Sequence, residues 1–157
     1  MHEPDMTLSI VTTLYRSAAH LEEFHRRASE AAARVTTRYE LVLVNDGSPD
    51  DSLTLAIAIQ QRDAHVRVVD LSRNFGHHAA LMAGLSHARG DLVFLIDSDL
   101  EESPERLATL LDAIYATFAG LPALSVPAGF HANGRWPAGL QLIGKPQGDA
   151  ALLRVAA

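Results

Sequence analysis

The sequence predicts an α/β fold of three layers, built on a mostly parallel sheet in β-α-β-α-β-α-β-α order. Three observations carry this. Short apolar, β-branched runs alternate with helical stretches of ten or more residues across the first 116 positions, and parallel strands need crossovers of that length. Each apolar run ends in a polar turn, and right-handed crossovers gather such turns on one edge of the sheet. The chain, with 157 residues and 48% hydrophobic content, is long enough to bury one sizeable core.

The elements follow in order. Leu8-Ser-Ile-Val-Thr-Thr-Leu14 is apolar and β-branched and reads as the first strand. A helix is expected from Ala18 or Ala19 to about Val35, because Leu21, Phe24, Ala28 and Ala31 recur at spacings of three and four. Glu40-Leu-Val-Leu-Val44 is the second strand. The turn Asn45-Asp-Gly-Ser-Pro-Asp-Asp51 closes it and offers Ser48, Asp50 or Asp51 as a helix cap. The next helix runs from Ser52 to Arg62, with Leu53, Ile57 and Gln60 along one side.

Val66–Leu71 is the third strand, and Ser72–His78 the loop that opens a helix from Ala79 to Ala88. Arg89-Gly90 stops that helix. Asp91–Ile96 is the fourth strand, a continuous apolar run of the kind buried on both faces in a parallel sheet. Pro104 suits the first turn of a helix that turns Leu107, Leu110, Leu111 and Ile114 inward.

Composition shifts near Ala116. Residues 117–157 hold six of the ten glycines and four of the seven prolines, and carry Arg135, Lys145 and Arg154 against Asp149. They read as a β-hairpin, with Asn133-Gly134 as a turn signal and Gly139–Gly144 as one strand, then a short helix from Ala150 to Ala156. One compact domain is expected, built from a part over 1–114 and a segment over 115–157.

A net charge of −6 argues against binding nucleic acid through its phosphates. With no cysteine there is no disulfide framework and no thiolate chemistry. No apolar run approaches the roughly 20 residues of a membrane span. The first residues, Met-His-Glu-Pro-Asp, lack a basic leader, so a cytoplasmic location is the expectation. Oligomeric state is not legible.

The fourth strand ends in Asp97-Ser-Asp99. Carboxylates at the carboxyl end of such a strand sit where open α/β sheets bind ligands. Two acids at i and i+2 suit a hard cation, Mg²⁺ or Mn²⁺, with phosphate oxygens in its other positions. Taken alone the pair is equally a solvated acidic loop, since Glu101, Glu102 and Glu105 follow. A dinucleotide fold would place G-x-G-x-x-G after the first strand, and Thr13-Leu-Tyr-Arg-Ser-Ala stands there instead. A P-loop is absent. An aspartyl phosphatase would carry its D-x-D on the first strand.

Four blocks in order and spacing carry a resemblance. They are Val44-Asn-Asp-Gly-Ser-Pro-Asp50, Arg73-Asn-Phe-Gly-His-His-Ala-Ala80, Ala88-Arg-Gly-Asp91 and Ile96-Asp-Ser-Asp-Leu-Glu-Glu102, with Gly84 between the second and third. Residues 7–112 resemble the nucleotide-binding half of a family 2 glycosyltransferase of the GT-A type. The nearest kind are bacterial enzymes that move a sugar from a nucleotide to polyprenyl phosphate or a similar lipid phosphate. The resemblance implies a nucleotide-diphospho-sugar transferase fold, a UDP- or GDP-sugar and inverting chemistry. It implies that Thr13 and Tyr15 border the base and ribose, that Asp46 accepts a hydrogen bond from one of them, and that Arg73 and Asn74 lie close. It implies that Asp97 and Asp99 hold the metal and, through it, the diphosphate. The sequence departs from the family where Thr13 replaces a proline and where Arg16 and Ser17 replace Asn and Glu. No acceptor-side base is recognisable. His77 and His78 are adjacent on a helix start, point in different directions, and read as structural or ligand-edge groups, not as metal ligands.

Gly120–Phe130, Gly139–Gly144 and Ala151–Ala156 resemble the C-terminal end of an amidase-signature hydrolase. Lys145, the one lysine, does not match that family's catalytic position, and Ser125 reads as core. Amidase activity is therefore not expected. The two resemblances together imply a chimera, and the alternative to a working transferase is an inactive truncated or fused domain.

Overall fold

The computed structural model describes residues 7–111, 123–130 and 137–144. Its elements are β1 Leu8–Leu14, α1 Leu21–Ala33, β2 Tyr39–Asn45, α2 Ser52–Arg62, β3 Val66–Asp70, α3 His77–His87, β4 Leu92–Leu95, β5 Ala123–Phe130 and β6 Pro137–Gly144. A further helical stretch covers 106–111. The strands form one sheet in the order β3-β2-β1-β4-β6-β5. β3, β2, β1 and β4 run parallel, and β6 and β5 add an antiparallel pair beyond β4. This is the α/β fold the sequence predicts, with the expected hairpin joined to its edge. Ile114, the 133–134 turn and the 150–156 helix lie outside the described residues.

The order explains the layers. From β1 to β3 the chain steps outward, and from β3 it returns past β1 to β4. With right-handed crossovers the return helix must cross the opposite face. α1, α2 and the 106–111 helix therefore cover one face, packing Leu21, Phe24, Ile59, Leu107 and Leu111 onto Leu8, Ile10, Leu41, Leu43 and Phe94. α3 covers the other, with Ala80 against Val11, Val42, Val44 and Val93. Strand alternation assigns each residue its face.

Boundaries differ from expectation in places. α3 begins at His77 instead of Ala79, which shortens the preceding loop. α2 has the expected bounds, but its buried residues are Ser52, Ala56 and Ile59, and Ile57 is exposed. Apolar side chains occur on several sides of this helix, so periodicity did not single out one face. Asp51 holds the cap position without a side-chain bond. Asp50 does that work, accepting hydrogen bonds from the Ser52 amide at 3.1 Å and from the Ala18 amide at 3.1 Å. Burial pushes its carboxyl up, but those bonds and the Ser48 and Ser52 hydroxyls outweigh it and hold the group well below the usual carboxylate range.

Gly84 explains itself by close approach. A Cβ there would stand 2.4 Å from Val11 Cγ1 and 2.9 Å from Val44 Cγ2. Gly84→Ala is expected to destabilise the fold by about 2 kcal/mol through overpacking. A thermal melt should drop by roughly 4–8 °C. The block Ala88-Arg-Gly-Asp91 lies at the opposite sheet edge from the D-x-D and ties strands together. The Gly90 amide donates to Ser9 Oγ at 2.8 Å, the Arg89 amide to Glu40 Oε1 at 2.6 Å, and Thr7 Oγ1 to Asp91 Oδ2 at 2.7 Å.

Arg27 of α1 grips the start of the 106–111 helix with two parallel bonds, Nε to Glu105 Oε1 at 2.7 Å and Nη2 to Glu105 Oε2 at 2.6 Å. The guanidinium holds the Glu105 carboxyl down, to about 2 from a usual 4.5. A depressed folded-state value stabilises the fold fully above the unfolded value and is lost as pH falls through the folded one. Between pH 4.5 and 2 the melting temperature should therefore decline, and Arg27→Gln should flatten this part of the pH profile.

Candidate functional site

Alternation along the strands builds the site. Val11 and Thr13 of β1, Val42 and Val44 of β2, and Val93 and Leu95 of β4 share the α3 side. Continuing that parity past the strand ends brings Asp46 and Asp97 to the same side as Thr13. The start of α3 lies over all three. His77 Nδ1 stands 3.1 Å from Thr13 Oγ1, and its Nε2 stands 3.9 Å from Asp97 Oδ1. Asp46 Oδ1 accepts from the Phe75 amide at 2.7 Å, and Oδ2 from the Gly76 amide at 3.1 Å.

A cleft of about 330 Å³ opens here, lined by Thr13, Tyr15, Asp97 and Asp99 together with Ser17, Ser98 and His77. Four predicted site residues thus meet. Ser98 is buried between two exposed aspartates. It donates to the Thr13 carbonyl at 3.1 Å and bonds Ser17 Oγ at 3.0 Å. Anchoring the middle residue inward leaves Asp97 and Asp99 on one outer side. Asp99 Oδ1 accepts from the Glu101 amide at 3.0 Å, which turns the chain. Arg16 and Leu100, flanking the cleft, are non-glycine residues at positive φ, 56° and 64°. Such backbone persists where surrounding contacts hold it; the Arg16 amide donates to Ser48 Oγ at 2.7 Å.

Asp46, Arg73 and Asn74 do not line this cleft. Asp46 instead holds the loop that carries Arg73 and Asn74 into α3. Gly47 adopts φ +59°, and a Cβ on it would meet the Asn74 amide nitrogen at 2.4 Å. The 73–74 backbone can cross the 46–47 turn this closely only over glycine. Arg73 places its guanidinium over the Phe75 ring, 4.7 Å from the centroid.

Among the described residues no group of three or more His, Asp or Glu side chains is arranged to hold a metal ion. Two carboxylates in an open cleft suit a cation that completes its shell with phosphate oxygens and water, as Mg²⁺ does. Three lining residues were not among the predicted site residues. Ser17 and Ser98 act within the wall, and short polar residues give no sequence signal for that. His77 read from its loop only as a structural or ligand-edge group, and the crossing of α3 brings it to Thr13 and Asp97.

The fold has solved neighbours. The chain superposes on a mannosyltransferase from Pyrobaculum calidifontis, solved with GDP-Man and Mn²⁺, with a TM-score of 0.69 over 89% of this chain and 45% of that one. At 18% identity that likeness concerns the fold. Glucosyl-3-phosphoglycerate synthase of Mycobacterium tuberculosis gives a TM-score of 0.59 at 26% identity, covering 77% and 45% of the two chains. The fold is thus of the GT-A kind, an α/β sheet shared with sugar-nucleotide transferases.

The family model for glycosyl transferase family 2 matches residues 9–154, and the chain belongs to that family. A Mycobacterium tuberculosis protein named as a glycosyltransferase is 54% identical over 114 residues, 73% of this chain and 33% of its own length. The undecaprenyl-phosphate 4-deoxy-4-formamido-L-arabinose transferase of Klebsiella pneumoniae is 39% identical over 112 residues, 71% of this chain and 34% of its own. The chain therefore spans about a third of the length of these relatives. The family match also takes in most of the segment after residue 114, within which β6 pairs directly with β4.

No described helix is long and apolar enough to cross a membrane.

Proposed function

We propose that the cleft binds a nucleoside-diphosphate sugar, UDP- or GDP-linked, through a divalent metal ion, Mn²⁺ or Mg²⁺, held by Asp97 and Asp99. The observation that carries this reading is the outward pair of carboxylates at the end of β4, facing Thr13 and Tyr15 across one cleft. When bound, the metal would offset negative charge developing on the departing nucleoside diphosphate. Thr13 and Tyr15 border the base and ribose. Asp46 shapes the nucleotide side by holding the Arg73–Gly76 loop, which keeps Arg73 and Asn74 beside the cleft.

The overall activity is glycosyl transfer, with a lipid phosphate such as polyprenyl phosphate as acceptor. The relatives' names support that acceptor class. The donor site lies within this chain, and no acceptor-side base is assigned in it. The strands β6 and β5 extend the sheet beyond β4, and amidase chemistry is not part of this reading.

Calorimetric titration with UDP, GDP and their sugars, with and without Mn²⁺, tests the donor site. Metal-dependent binding of one nucleotide is the expected result. A folded sample that binds none of them overturns the reading and leaves the inactive-domain alternative.

A further inference from the structure

We infer that His77 is a diphosphate-contacting residue of the cleft, presenting its Nε2–H to a non-bridging phosphate oxygen opposite the metal carboxylates. This rests on the proposed nucleoside-diphosphate site. Three observations lead to it.

First, an anion in this cleft needs donors, and few side chains there can supply them. Asp97 and Asp99 are acceptors, and the Ser98 hydroxyl is committed to the Thr13 carbonyl and Ser17. Among the lining residues only His77 carries a ring N–H or can bear positive charge.

Second, the ring is held at one end and open at the other. Thr13 Oγ1 lies 3.1 Å from Nδ1. Nε2 lies 3.9 Å from Asp97 Oδ1, beyond hydrogen-bond distance. If the proton sat on Nδ1, the Nε2 lone pair would face the carboxylate, acceptor against acceptor. With the Thr13 hydroxyl donating to Nδ1, the proton stands on Nε2 and points into the cleft.

Third, the placement is built in. His77 is the first residue of α3, whose N-terminus Asp46 anchors through the two preceding amides. The side chain is about half exposed, at 49%, so it is positioned for a ligand and not buried as packing.

The two amide isosteres of histidine separate the roles of its nitrogens. Asparagine reproduces Nδ1 and glutamine reproduces Nε2. In the full chain with Mn²⁺, His77→Asn should weaken binding of UDP or GDP, whichever the wild type takes, by roughly 10–100-fold, the range of a charge-assisted hydrogen bond. His77→Gln should stay within about threefold of wild type, since its amide N–H donates to the same anionic phosphate oxygen and keeps the charge-assisted bond. Binding of Mn²⁺ alone, followed by the paramagnetic signal of the free ion, should be the same in all three. Circular dichroism should confirm that each variant is folded.

Equal losses in the Asn and Gln variants, no loss in His77→Asn, or a loss fully matched by weaker Mn²⁺ binding would each overturn the assignment alone. A wild-type chain that binds neither nucleotide overturns the donor-site reading and this assignment together.

Discussion

Asp97→Ala and Asp99→Ala should each abolish Mn²⁺-dependent nucleotide binding while leaving the fold intact. Removing groups that merely orient metal ligands typically lowers metal affinity 10–100-fold, so loss of a ligand itself should exceed about 100-fold. Stability should change little, because both side chains are exposed and surface substitutions usually stay within about 0.5 kcal/mol. The contrast is diagnostic. Titration with nucleotide and Mn²⁺, paired with a thermal melt, reads both quantities on one sample. Near-normal binding in either variant would remove the metal site from its proposed place. The conservative pair Asp97→Asn and Asp99→Asn keeps shape and loses charge, and should behave like the alanines if the carboxylates meet a cation.

Asp46→Ala should act through the fold. Its buried carboxylate accepts two backbone amides, from Phe75 and Gly76. Hydrogen bonds to a charged group contribute about 1.5–3 kcal/mol each, and amides left without a partner add a penalty. A loss of roughly 3 kcal/mol is expected, read as a lower urea midpoint at unchanged slope. Nucleotide affinity should fall as well, because the loop that opens α3 loses its tether. Asp46→Asn keeps one acceptor oxygen and should fall between the two. A stability change below about 0.5 kcal/mol, the usual scatter of a surface substitution, would show that the tether does not hold the loop.

The two predictions differ in kind because the residues differ in burial. Asp97 and Asp99 leave the sheet with their carboxylates in the cleft. Asp46 leaves β2, on the far side of β1 from β4, toward the same face, but the returning loop covers it. All three are aspartates near the ends of apolar runs, and residue type alone does not tell which is buried.

Much of the architecture was legible in the chain. The apolar runs at Leu8–Leu14, Tyr39–Asn45, Val66–Asp70 and Leu92–Leu95 are strands, and their ends collect on one edge as alternation of strand and helix requires. The inward face of α1, through Leu21, Phe24, Ala28 and Ala31, was readable from its spacing. α2 was not, because Leu53, Leu55, Ile57 and Ile59 place apolar groups on several sides. Which of them is buried depends on where the helix meets the sheet.

By itself the sequence determined that this is a parallel α/β protein with a carboxylate pair at the end of β4. Those conclusions rest on local periodicity and on residue types at strand ends, which tertiary contacts do not alter. Only the tertiary structure decided who faces the pair. Among the described helices, the strand order β3-β2-β1-β4 sends only α3 across the far face of the sheet. That crossing sets His77 between Thr13 and Asp97, residues 64 and 20 positions away along the chain. Contacts of that separation come from topology and register, and no local pattern encodes them.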